Sequence, residues 1–173
     1  MTALQMLTTG GTTAAGASRP LVIAAAVGAG LNGGVFFAFS SFVMPALDRL
    51  PASQAVAAMQ SVNVTAVRAP FMTALFGTAL LGGVVAFQAA RHRGSAGSTL
   101  LLVGGAVYLI GVVGVTIAAN VPLNDTLATV DPASAGAAHA WSQFSGPWTG
   151  WNTVRTLAGL ASAALLTVGA TRT

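Results

Sequence analysis

The sequence contains no cysteine, no lysine and no glutamate. Without cysteine there is no disulfide, no thiolate nucleophile and no cysteine-based zinc site. Only 6% of the 173 residues are charged, against roughly 25% in an ordinary soluble domain. A soluble enzyme and a disordered chain are both excluded by that poverty of charge. The two histidines, His92 and His139, lie far apart in sequence, and the three acids are all aspartate, so no dedicated metal centre is expected. The isoelectric point near 11.6 comes from seven scattered arginines. They form no phosphate-binding stripe, which argues against a nucleic-acid partner. Gly30-x-x-Gly33-Gly34 follows no strand and is not a phosphate loop.

What the chain does have is apolar length. Hydrophobic residues make up 54% of it, and mean hydropathy is +0.77. A hydrocarbon core of about 30 Å needs around 20 mostly apolar residues in a helix. Four stretches qualify, at about 20–46, 70–90, 99–119 and 151–170. They lack the period-two alternation of a barrel strand, so helices are the remaining way to satisfy the backbone in lipid. The expected fold is all-α, an integral membrane four-helix up-down bundle over residues 20–171. Residues 1–19, rich in Thr, Gly and Ala, are expected to form a mobile cytoplasmic tail. The apolar run after Arg19 extends through Phe36, Phe37, Phe39 and Phe42, too far for a cleaved leader, so the first span is retained.

Arginine placement sets the expected orientation. Arg19, Arg91, Arg93 and Arg172 lie at one end with no acid; Arg49, Arg68 and Arg155 at the other are balanced by Asp48, Asp125 and Asp131. Both termini are therefore expected in the cytoplasm of a cell-membrane protein, with segments 47–69 and 120–150 outside. These are the long connections, and long connections carry function more often than short ones.

Small residues allow close helix packing in lipid. Gly30 and Gly34 form one G-x-x-x-G, and Gly159 and Ala163 have the same spacing. Packing within the chain is the preferred reading, and a homodimer seam is the other. Pro51 is expected to open an amphipathic helix reaching Arg68, either at the membrane interface or running into the second span. Gly146-Pro147 is expected to break or restart a helix.

Four of the five asparagines fall at the expected outer boundary: Asn63, Asn120, Asn124 and Asn152. Trp148-x-x-Trp151-Asn152-x-x-Arg155 sets three further groups at helical spacing beside Asn152. An arginine one turn inside an apolar run is costly and tends to face a bundle interior, with Asp125 or Asp48 as its expected partner. Snorkelling to the headgroups is the plain alternative for Arg155, and an interfacial belt for the tryptophans. Arg68 reads equally as an inward cation or an interfacial anchor. These eight residues form the expected binding set. Asn32, nearer mid-bilayer, reads better as a helix–helix hydrogen bond, and Tyr108 as core.

The segments Gly34-Val-Phe-Phe-Ala-Phe-Ser-Ser-Phe-Val-Met-Pro-Ala46, Met59-Gln-Ser-Val-Asn63, Ala69-Pro70-Phe71, Asn120-Val-Pro-Leu-Asn124 and Trp148-x-x-Trp-Asn-x-x-Arg155 together resemble the anthrone-oxygenase-like family of small four-helix membrane proteins. The resemblance implies a four-helix membrane fold with a pocket at the outer end for a hydrophobic aromatic small molecule. It also implies, by analogy with fungal members, O2-dependent oxidation of an anthrone to an anthraquinone. It carries over no established catalytic residues. Such an oxygenase is expected to work without metal or flavin, and Asp125 and His139 are the only nearby bases. A non-catalytic lipid- or metabolite-binding protein, or an accessory subunit of a membrane complex, is the alternative.

The orientation is directly testable because the chain carries no thiol. A Ser95→Cys variant is expected to resist a membrane-impermeant maleimide in intact cells and to react fully after lysis. Labelling in intact cells would reverse the assignment.

Overall fold

The computed structural model describes residues 18–92 and 94–172. The expected N-terminal tail, as far as residue 17, lies outside the described residues, as does Arg93 of the orientation argument. Five helices account for the architecture: α1 (Arg19–Leu47), α2 (Ala52–Ala66), α3 (Ala69–Arg91), α4 (Ala96–Ala128) and α5 (Ala137–Thr171). All but α2 are long and apolar enough to cross a membrane. α1 packs on α5, α5 on α4, α4 on α3 and α3 on α1, which closes an up-down bundle. The chain is an integral membrane protein with an all-α bundle fold.

The helices outrun the apolar windows at the end away from the termini. The third continues through Pro122 to Ala128, and the fourth starts at Ala137 rather than near Trp151. Gly146-Pro147 does not break it. A helical proline loses one hydrogen bond and displaces the carbonyl four residues back. At Pro45 and Pro122 those carbonyls belong to Ser41 and Ala118, and each lies inside a wide π-type turn, Phe39–Val43 or Thr116–Asn120. The backbone has already opened where the ring needs room. At Pro147 the helix is held by packing on both sides of the ring, because Trp141, Phe144 and Trp148 all enter one buried cluster.

α2 is a separate element, not a continuation of α3. Pro51 caps it, and Val67–Arg68 separates it from α3, whose first turn holds Pro70. Phe36 of α1 meets Phe71 edge-on at 6.1 Å between ring centres, so α1 continues about three turns past the start of α3. In that extension α2 packs against α5 and the end of α4. Its Ala55, Val56 and Met59 pack with Met44, Leu127, Trp141, Phe144 and Trp148. Gln60 ties α2 to the end of α4, donating to the Leu127 and Val130 carbonyls at 2.9 and 2.8 Å.

Below that level the bundle is held by close backbone approach and by buried hydrogen bonds. Asn32 Nδ2 donates to the carbonyls of Gly28 (2.8 Å) and Ala74 (3.2 Å), linking α1 to α3. Tyr108 is fully buried and donates to the Leu75 carbonyl at 3.2 Å. The small-residue seam differs from the one read in the sequence. A side chain at Gly34 would meet nothing within 4 Å, and one at Gly30 would only touch Ala163 at 3.8 Å. The tight crossing of α1 and α5 lies at Gly33 and Gly159, where a Cβ on Gly159 would come within 2.9 Å of the Gly33 Cα. Which glycine of a run faces the partner is fixed by helix rotation, and spacing alone leaves that open. At the opposite end, Gly94 has φ +140°, a conformation suited to glycine. Ser95 then caps α4 by accepting from the Ser98 amide at 3.1 Å.

Replacing Gly159 by Ala is therefore expected to cost about 1–3 kcal/mol, because backbone must yield. Gly34→Ala is expected to be neutral or slightly stabilising. Denaturant unfolding in detergent micelles measures both, and equal losses would contradict the seam.

Candidate functional site

Arg155 of α5 is the only buried arginine among the described residues, with 6% of its surface exposed. The turn geometry that buries it is simple. Trp148, Asn152 and Arg155 are spaced four and three apart, so all three point into the bundle. Trp151 stands about 60° off that direction and is 46% exposed. The structure thus separates it from the other members of the stripe.

The Arg155 guanidinium is held by neutral groups. Nη2 donates to Asn152 Oδ1 at 2.8 Å, and Nη1 to Thr116 Oγ1 at 3.3 Å. Its carbon lies 4.3 Å from the centre of the Phe36 ring and 5.5 Å from Trp148, both within cation–π range. The buried Nε has no hydrogen-bond partner. Neither aspartate expected as a partner serves. Asp48 accepts from Trp141 Nε1 at 2.9 Å, and Asp125 is exposed on α4. Both sit in the polar extension, beyond the depth of Arg155. Among the described residues no carboxylate pairs with Arg155.

Asn152 is the pivot of this arrangement. It is fully buried. Its amide nitrogen donates to the Phe36 carbonyl at 2.6 Å and to Ser40 Oγ at 2.7 Å, which leaves its oxygen aimed at Arg155. Ser40 belongs to the wide turn Phe39–Val43 inside α1. Trp148 is held from its other side: its indole N–H donates to Asn124 Oδ1 at 2.8 Å, and its carbonyl accepts from Asn120 Nδ2 at 3.2 Å.

These groups border a cavity of about 120 Å³. Asn63, Asn124, Trp148, Asn152 and Arg155 line it, with Phe36, Phe71 and Thr116. Asn120 lies behind the wall, supporting Trp148. Arg68 is exposed and lines instead an adjoining groove of about 520 Å³, bounded also by Val35, Phe39, Ala66 and Phe71. Of the eight expected residues, five meet at the cavity, one braces it, one borders the groove and Trp151 faces away. Sequence reasoning gave no site role to Phe71, Thr116 or Met59. Phe36 and Ser40 were legible only as neighbours of Asn32, one turn and two turns on.

The cavity wall contains no carboxylate and no imidazole. His139 is exposed beside a shallow hollow of about 240 Å³ formed with Gln143 and Phe144. His92 is exposed at the other end, with its ring Nδ1 2.9 Å from the Gln88 carbonyl. Among the described residues no three His or Asp side chains are grouped closely enough to hold a metal. The chemistry this wall offers is a fixed positive charge, amide and hydroxyl groups around it, and aromatic faces on either side.

Comparison with known proteins gives one match. The family model described as Anthrone oxygenase covers residues 69–165, which includes α3, α4 and α5 as far as the cavity and beyond it. No curated protein and no solved structure matches the chain. With more than half of its length matched, the chain belongs to the anthrone oxygenase family.

Proposed function

We propose that the cavity binds an aromatic anion and that the chain is a membrane oxygenase acting on an anthrone-like phenol. The observation that carries this reading is the buried charge of Arg155, which lines a cavity with no carboxylate in its wall and whose own Nε–H has no partner. A buried cation is normally paired, and an anionic ligand supplies the missing partner. The faces of Trp148 and Phe36 suit a flat ring system.

The reaction follows from the ligand's own chemistry. The methylene between the aryl rings of an anthrone is acidic, because its anion is a delocalised phenolate. Arg155 stabilises that phenolate oxygen, with Asn152 holding the guanidinium in place. No base lines the cavity, so the proton passes to water before the ring system is enclosed. The anion gives one electron to O2, and the resulting carbon radical and superoxide combine to a peroxide at the former methylene. Loss of the second C–H proton breaks the O–O bond. One oxygen atom stays as the quinone carbonyl and the other leaves as water. Exclusion of bulk water protects the radical pair during this sequence.

The absence of a base from the wall favours a second reading, in which the same cavity only binds a hydrophobic anion, as a carrier or as a subunit of a larger membrane assembly. Product formation separates the two. In either case the arginine distribution supports cytoplasmic termini, with the cavity near the outer surface.

Purified protein in vesicles is expected to convert anthrone to anthraquinone under O2, with a rate rising with pH as more substrate ionises. Arg155→Ala is expected to lose about 100-fold or more, the usual cost of one preorganised oxyanion donor. Equal turnover by the variant and the parent, read by absorbance, would end the enzymatic reading. Retained ligand binding without turnover would select the carrier.

A further inference from the structure

The inner cavity is too small for a polycyclic ligand. A void of about 150 Å³ accommodates a benzene ring, and this one measures about 120 Å³. The adjoining groove is far larger, about 520 Å³. The two adjoin, because Val35, Phe39, Val62, Ala66 and Phe71 border both. The groove lies at the break between α2 and α3, lined by one side of α1, the last turns of α2 and the first turn of α3. Its walls are apolar apart from Ser61, Thr65 and Arg68. At the break itself Val67, which also borders the inner cavity, is 68% exposed. In a membrane protein such residues face acyl chains. Arg68, at the membrane-boundary end of α3, is the one cation at the mouth.

We infer that the ligand reaches Arg155 sideways from the bilayer, through the gap between α1 and α3 at the α2–α3 break, with Arg68 at the rim and Arg155 at the inner end. The ligand class is then a lipid-dissolved, flat aromatic molecule with one ionised oxygen. The anionic oxygen and the edge of the ring that bears it enter the inner cavity, and the rest of the ring system lies in the groove against Phe39 and Phe71. Arg68 draws the anion to the mouth from the headgroup region, where ionised amphiphiles collect. The apolar walls then favour the ring system over a small hydrophilic anion, which has no means of crossing them. This inference rests on the proposed aromatic-anion site and adds the route and the physical state of the ligand.

A route is tested by rates, because equilibrium affinity does not depend on path. Ser61 is exposed at the groove, and Ser61→Cys places the chain's sole thiol there. A lipid-soluble maleimide carrying a bulky aromatic group then closes the groove after folding is complete, so unmodified Ser61→Cys is the control. The probe is anthracene-9-carboxylate in phosphatidylcholine vesicles, followed by energy transfer from tryptophan in a stopped-flow instrument. Closing the groove is expected to slow association by about tenfold or more. The dissociation constant is expected to rise with it, because the label also takes the space of the outer rings. Val35→Phe, which narrows the same gap, is expected to act in the same direction. Arg155→Gln is instead expected to raise the dissociation constant by about 100-fold with association little changed. Unaltered rates in both the labelled protein and Val35→Phe, with Arg155-dependent binding intact, would overturn the sideways route alone. Binding that ignores Arg155→Gln would overturn the site reading, and the route with it.

Discussion

A positive charge held inside the bundle without a carboxylate is the constraint around which the far end of this protein is arranged. An arginine at membrane depth costs about 3 kcal/mol on insertion scales, and pairing with an acid is the usual relief. Here the relief is partial and comes from neutral groups. The Asn152 oxygen takes one N–H and the Thr116 hydroxyl another, while the Phe36 ring lies 4.3 Å from the guanidinium carbon. A desolvated cation–π contact contributes about 2 kcal/mol. None of these contacts cancels the charge, so the cavity keeps a positive potential. An Asp in the position of Asn152 would hold the guanidinium as well, but would neutralise that potential. An amide there orients the cation and leaves it available.

The space beside that charge comes from a helix that stops and starts again. α2 and α3 together occupy one corner of the bundle, and at Val67–Arg68 neither fills it. Non-helical backbone at such a depth is tolerated where it lines a cavity or is covered by protein. The break falls at Arg68, whose backbone is extended (φ −77°, ψ 161°), and Pro70 follows in the first turn of α3, where its missing N–H costs little. The wide turns at Phe39–Val43 and Thr116–Asn120 lie at the same level on α1 and α4. They carry Phe39 and Thr116, which both face the cavity. Three of the four corners are thus irregular at one depth, and the regular fourth, α5, supplies Trp148, Asn152 and Arg155.

Much of this was legible in the sequence, for reasons that can be named. Four spans follow from apolar length, because the bilayer imposes one thickness on every crossing. Asn124, Trp148, Asn152 and Arg155 stood out because polar and aromatic groups at helical spacing are conspicuous in an apolar chain. Trp151 misled because a three-residue step falls about 60° short of a turn, and at the edge of a buried face that angle decides between cavity and lipid. Asp48 and Asp125 suggested themselves as partners for Arg155 by charge alone. Their depth depends on how far α1 and α4 extend, and that extension is invisible to an apolar window that stops at Pro45 and Asn120. Phe71 and Thr116 carry no local signal at all. They become site residues only when the break in one helix and the wide turn in another bring them to the same level.

The distribution of stiffness explains why the site can hold strain without endangering the fold. Gly159 lies one turn beyond Arg155 on α5 and makes the closest backbone approach of α5 to α1. Tyr108 and Asn32 bind the neighbouring helices through buried hydrogen bonds in the same lower half. Packing there is set by backbone against backbone, which admits little adjustment. Above the cavity the contacts are of another kind: Met44, Met59, Leu127 and a run of aromatic rings. Methionine and tilted aromatic contacts adapt to a changed neighbour more readily than glycine seams do. The floor under the guanidinium is therefore rigid, and the wall that α2 contributes can yield. A polycycle larger than the resting cavity needs that asymmetry. Its charged end must meet a donor that does not move, while its rings displace side chains that can.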